Sequence, residues 1–106
     1  MKPASMELAE VLDQVVAVLA ADDETHWCAW MQETKRRLAR SPALGAEHLL
    51  GAYGGMASFN DLVIGQTMVD GTFAWKPGYR QSNDALDALR TRAYNLASAI
   101  RDNGDR

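Results

Sequence analysis

Ser82-Asn83-Asp84-Ala85-Leu86-Asp87-Ala88-Leu89-Arg90-Thr91-Arg92-Ala93-Tyr94-Asn95-Leu96-Ala97-Ser98-Ala99-Ile100 carries the clearest helical period in the chain. Leu86, Leu89, Ala93, Leu96 and Ile100 recur at alternating steps of three and four, which sets them on one stripe of an α-helix, and Asn103-Gly104 supplies a stop. Ser82-Asn83-Asp84 reads as the start, because short polar side chains bond the free amides of a first turn. A helix with a single apolar stripe must lay it against other apolar surface, and the rest of the chain offers that surface with the same period.

At the other end, Ser5 precedes Leu8, Leu12, Val15 and Leu19, flanked by Val11, Val16 and Val18. This arc is wide enough to predict a central helix contacted on more than one side. Asp22-Asp23-Glu24 supplies capping and first-turn acids for a second helix whose inward residues read Trp27, Trp30, Met31, Thr34 and Leu38. Ser41-Pro42 opens a third, with serine at the cap and proline where its missing amide hydrogen costs nothing. That helix is expected to run through Leu44, Leu49, Leu50 and Tyr53 and to stop at Gly54-Gly55, where a left-handed cap is available. Ser58 and Asp61 have capping-box spacing, which predicts a short fourth helix carrying Phe59, Leu62 and Val63 to about Gly65; a strand over Leu62-Val63-Ile64 is the alternative. From Gln66 to Gln81 the texture changes, with Gly71, Pro77 and Gly78 punctuating the strand-preferring Thr67, Val69, Thr72, Phe73 and Trp75. The expected fold is therefore mainly α: one domain over residues 1–106, a bundle of four to five helices with one ordered loop or small hairpin at residues 66–81.

A chain of 106 residues, 47% hydrophobic and 24% charged, supports one core and no second domain. The longest mostly apolar run, Val15 to Ala21, is far too short to cross a bilayer. Glu7, Glu10 and Asp13 fall where a signal peptide would be apolar, and the single cysteine, Cys28, cannot form an intrachain disulfide. A cytoplasmic protein without membrane partners is expected. The net charge of -3 is unevenly spread: residues 1–24 hold one base against six acids, whereas residues 25–40 hold Lys35, Arg36, Arg37 and Arg40 against Glu33 alone. Four cations on one short helix in an acidic chain make a poor nucleic-acid footprint, so no nucleic-acid partner is expected.

Chemistry-bearing residues are sparse. His26 and Cys28 are two apart and point to different faces of a helix, and no second cysteine completes a metal set, so neither a metal nor a cofactor is expected. Cys28 with His48 is compatible with a nucleophile and base pair only in the sense that any Cys and His are, and small buried cysteines are common core residues; the reading is of no catalytic residues and no enzyme. Trp75, with Lys76, Tyr79 and Arg80 beside it in a Gly- and Pro-containing segment, makes a candidate recognition surface. Gly54, Gly55, Ser58, Asn60 and Asp61 could form an anion-holding nest, but the glycines lack the spacing of a phosphate loop, no lysine follows and Asp61 would repel a phosphate. They read as a structural turn, with Asn60 and Asp61 placed to bond the 66–81 segment onto the domain.

The turn Gly54-Gly55-Met56-Ala57-Ser58-Phe59-Asn60-Asp61-Leu62 resembles that of a family of small bacterial proteins marked by Gly-Gly-Met-Gly-Ser, an apolar residue and Asn-Asp-Leu. Ala57 departs from the family's usual glycine. The resemblance covers about a tenth of the chain and the helix before it more weakly; it implies a bacterial source and a helical domain and carries no activity with it. By size and charge alone, the chain is also similar to immunity proteins encoded beside secreted toxins.

The expected role is that of a non-catalytic domain that binds and inhibits a protein partner, a cognate bacterial toxin. Glu7, Glu10 and Asp13 would steer association, and Trp75 and Tyr79 would carry affinity. The alternatives are a small ligand-binding domain or enzyme with its site at the Gly54–Asp61 turn, using Ser58, Asn60, Asp61 and His48, and a structural homodimer with tryptophans in its interface.

Overall fold

In the computed structural model, which describes residues 2–54 and 58–105, four helices enclose one core: α1 (Ala4–Ala21), α2 (Thr25–Arg40), α3 (Pro42–Leu50) and α4 (Tyr79–Asn103). A two-stranded antiparallel hairpin, β1 (Gln66–Val69) and β2 (Thr72–Trp75), lies between α3 and α4 in the chain. The fold is mainly α, as the periodicity predicts. Leu8, Val11, Leu12, Val15 and Leu19 of α1 are all buried, against α2 on one side and α4 on the other, while α3 closes the ring between α2 and α4. Met31, Thr34 and Leu38 form the buried stripe of α2, with Trp27 and Trp30 half-buried over the core edge. Gly45 lets α3 come close to α2: a Cβ there would lie 2.6 Å from Leu38 Cα.

The local starts and stops differ from the sequence reading in instructive ways. Ser5 does not cap α1; Pro3 occupies that position, and Asp105 accepts from the Ser5 amide (2.7 Å) and hydroxyl (2.5 Å), clasping the two ends of the described chain. Glu24 does cap α2, accepting from Trp27 N at 2.7 Å. The third helix ends at Leu50 rather than at Tyr53, with Gly51 at its cap in a right-handed conformation. Ala52 is buried and its carbonyl accepts from Phe59 N (2.9 Å), while the Tyr53 hydroxyl donates to Arg90 O on α4 (2.7 Å). Those long-range partners replace a further turn of helix. Gly54 has a φ of +91°, so the left-handed glycine exists, but beyond the helix rather than as its cap; Gly55 lies outside the described residues.

The expected fourth helix is a single 3-10 turn, Phe59–Asp61, and the alternative strand over residues 62–64 is absent as well. Arg90 explains the first outcome, since its guanidinium donates to Phe59 O (2.9 Å) and Leu62 O (3.0 Å), carbonyls that a continuing helix would have used. Asn83 explains the second. Its side-chain amide takes both the N–H and the C=O of Ile64, leaving no bonds for a strand neighbour. Asn83 therefore sits inside α4, which begins at Tyr79, ahead of the expected Ser82 start, after a turn through Pro77-Gly78.

Of the two expectations for residues 66–81, the hairpin forms. Asp70 (φ 52°) and Gly71 (φ 78°) supply the two consecutive positive φ values of a type I′ turn, whose twist matches that of the strands it joins. The register pairs Gln66 with Trp75, Thr67 with Ala74, Met68 with Phe73 and Val69 with Thr72.

Candidate functional site

Alternation along the hairpin puts Gln66, Met68, Phe73 and Trp75 on one face and Thr67, Val69, Thr72 and Ala74 on the other. Thr67 and Ala74 are half-buried, whereas Met68 (63% exposed), Phe73 (52%) and Trp75 (41%) stand out into solvent. The outward face is built of stacked rings. Phe73 meets Trp75 edge-on with centroids 5.1 Å apart, Trp75 lies parallel to Tyr79 of α4 at 4.6 Å, and Arg80 Nε donates to the Tyr79 hydroxyl at 3.1 Å. Val63, half exposed, lines a shallow hollow of ≈ 350 Å³ with Trp75, Tyr79 and Arg80. Solvent-exposed apolar residues grouped in this way mark an interaction surface more often than a passive one.

Hydrogen bonds to Asp22 and Asn83 fix this face to the bundle. Asp22 Oδ1, at the end of α1, accepts from Gly65 N (2.9 Å) and from Lys76 Nζ (3.2 Å), tying both strand bases to one carboxylate. Asn60 and Asp61, expected to do this, are exposed, and their side chains make no hydrogen bond among the described residues. Asp22 and Asn83 take that role, and a sequence pattern cannot name them because both act over large separations in the chain.

The three acids expected to steer a partner lie on the outside of α1, but each is engaged within the chain. Glu7 pairs with Arg92 (2.9 Å), Glu10 with Lys2 (2.7 Å) and Asp13 with Lys35 (2.5 Å). The acidic first helix and basic second helix thus dock in part on each other through Asp13 and Lys35. Trp75 and Tyr79, in contrast, come together as expected, and Met68, Phe73 and Val63 join them. The Asp-Gly pair followed by an alternating Phe-x-Trp was the available signal for those additions.

At the turn, Gly54 and Asn60 line a cleft of ≈ 480 Å³ with Leu50, Tyr53, Arg90, Thr91, Tyr94 and Arg101. Ser58 is half-buried; its hydroxyl makes no cap bond and no other hydrogen bond among the described residues. Burial holds the Tyr53 phenol well above its usual pKa, keeping it a donor to Arg90 O.

His48 belongs to a packing network rather than to the turn. Its ring stacks on Trp30 at 4.4 Å, its carbonyl accepts from Trp30 Nε1 (3.1 Å), and its Nδ1 lies 2.8 Å from the buried Thr34 hydroxyl. Thr34 donates to Trp30 O (3.0 Å), so Nδ1 carries the proton that Thr34 accepts. Burial, reinforced by the Arg37 charge, lowers the His48 pKa. Among the described residues, no three of His, Cys, Asp and Glu converge as a metal site, and no helix is long and apolar enough to cross a membrane.

No curated protein and no solved structure matches this sequence. A family model described as "Domain of unknown function (DUF6966)" matches residues 20–72, a segment running from the end of α1 through α2 and α3 to the first residue of β2, and the chain belongs to that family.

Proposed function

We propose that this protein is a non-catalytic binding domain whose outward hairpin face, Met68, Phe73, Trp75 and Tyr79, docks on a partner protein. One observation carries the reading: Phe73 and Trp75 are held in order by ring contacts that run on to the half-buried Tyr79, yet both remain exposed, with the exposed Met68 on the same face. Aromatic residues bring large contact area at low entropic cost, as binding anchors do. The finer reading is an immunity protein of a bacterial cytoplasm that occupies and inhibits a cognate toxin. Small size, acidic balance and the turn's resemblance to bacterial proteins support it. Glu7, Glu10 and Asp13, on α1 and away from the hairpin, contribute only long-range steering charge, attenuated by their intrachain cations, so Trp75 dominates affinity.

Affinity capture from the native host, with wild type and Trp75→Ala compared, tests the reading. The expected result is a neighbouring gene product retained by wild type, with dissociation accelerated by Trp75→Ala and association slowed, in a salt-sensitive way, by charge reversal at Glu10 and Asp13. Co-expression should protect cells from that product. A protein that captures nothing and protects against no neighbouring gene product is not an inhibitor.

A second reading is a small-ligand site at the turn, favoured by the cleft in which Gly54 and Asn60 face Arg90, Tyr94 and Arg101. Two arginines and two tyrosines suit an anionic, ring-bearing molecule. Stabilisation against heat by such a compound, lost in Arg101→Ala, would support it.

A further inference from the structure

The hairpin has two open edges, short at four residues each but without the charges, prolines or bulges that otherwise block strand addition. Its eight strand residues, Gln66–Val69 and Thr72–Trp75, include no charge, no proline and no glycine. Exposed strand edges of this kind pair with other strands unless something blocks them. The register shows which groups are available. Lys76 N donates to Gly65 O (2.7 Å) at the base, and alternation along the ladder then makes Thr67:Ala74 and Val69:Thr72 the bonded pairs. Phe73 and Trp75 consequently turn their backbone N–H and C=O groups outward from β2.

We propose that β2 pairs antiparallel with β2 of a second copy of this chain, joining two hairpins into one four-stranded sheet. A two-fold axis at Ala74 sets Phe73 against Trp75 of the second copy, and each such pair exchanges both of its outward backbone bonds. The aromatic rings then meet directly across the junction, on the same face as Met68. Charge selects this occupant and this orientation. Antiparallel pairing brings the tip of one hairpin beside the base of the other; the tip carries Asp70 and the base leads into Arg80, and neither forms an ion pair among the described residues. A parallel arrangement would set like beside like. A lone two-stranded hairpin is marginal in water, and a four-stranded sheet is not. The junction uses edges and leaves the outward faces of both hairpins side by side, so the surface proposed above for a partner becomes a larger bivalent one; the dimer itself does not depend on that reading.

The test is the solution mass of the full chain by light scattering and sedimentation, from low micromolar to millimolar concentration. Wild type is expected at twice the 11.6 kDa chain mass. Phe73→Pro removes an outward N–H that no intrachain ladder bond uses, and should raise the dimer dissociation constant about tenfold or more while helical circular dichroism stays unchanged. Arg80→Glu, which leaves the hairpin intact, should weaken the dimer through its contact with Asp70, and adding Asp70→Asn should recover part of the loss. A monomer at every concentration overturns the proposal, as does a dimer indifferent to both Phe73→Pro and Arg80→Glu. A dimer that captures no host protein overturns the partner reading alone, and a monomer that captures one overturns the dimer alone.

Discussion

The Asn83 side-chain amide binds the backbone of Ile64 as a neighbouring strand would: Oδ1 accepts from Ile64 N at 3.0 Å, and Nδ2 donates to Ile64 O at 2.9 Å. Ile64 is buried, so both groups would otherwise lie away from water without partners. One side chain of α4 thereby fixes the segment that enters the hairpin.

Asn83→Ala should cost about 1–3 kcal/mol, the desolvation penalty of leaving buried polar groups unmade. Asn83→Asp should fare little better, because it keeps the acceptor and loses the donor. Urea unfolding gives the stability change, and amide exchange at Ile64 reports the local opening.

Two glycines should respond to alanine for different reasons. At Gly54 a Cβ meets nothing within 4 Å, so Gly54→Ala is opposed only by its positive φ, at about 1 kcal/mol. Gly45→Ala gains roughly 1 kcal/mol of helix propensity, yet its Cβ would stand 2.6 Å from the Leu38 backbone, and prying α3 from α2 costs more than that gain. Gly45→Ala is expected to be the more destabilising of the two in thermal melts.

Large-to-small changes along α4 should sort by depth. Leu86 is wholly buried, and Leu86→Ala should destabilise by about 2–5 kcal/mol; Leu89 and Leu96 are only half-buried against the same core, and their alanine variants should lose less. Equal losses at Leu86 and Leu89 in denaturant titrations would place the helix on a different face.

Acidification should weaken the fold through His48. Its folded pKa lies below the ordinary imidazole value of 6.5, so the unfolded chain binds the proton first. The site therefore costs nothing above about pH 6.5, and stability declines as the pH falls from there through the lower folded value. His48→Asn retains a donor for Thr34 without titrating, so the melting-temperature difference between wild type and variant should widen in the variant's favour from pH 7 to pH 5.

The helical bundle is legible in the residue pattern alone, and residues 66–81 stand out there as an ordered loop or small hairpin. Leu8 to Leu19 and Leu86 to Ile100 each carry their period within one element, and a helix stripe is a local property that needs no knowledge of its neighbours. Where α3 stops, why Phe59 begins no helix and how α4 starts follow from contacts across the chain: Phe59 N takes Ala52 O, Arg90 takes Phe59 O and Leu62 O, and Asn83 takes Ile64 and Tyr79 O. The candidate site divides the same way. Trp75 and Tyr79 were legible as neighbours in sequence, but strand alternation was needed to bring Met68 and Phe73 to their side, and three-dimensional proximity alone paired Glu7, Glu10 and Asp13 with cations of their own chain. Backbone hydrogen bonds and ion pairs are spent on whichever partner the fold brings near, and sequence spacing does not encode that choice.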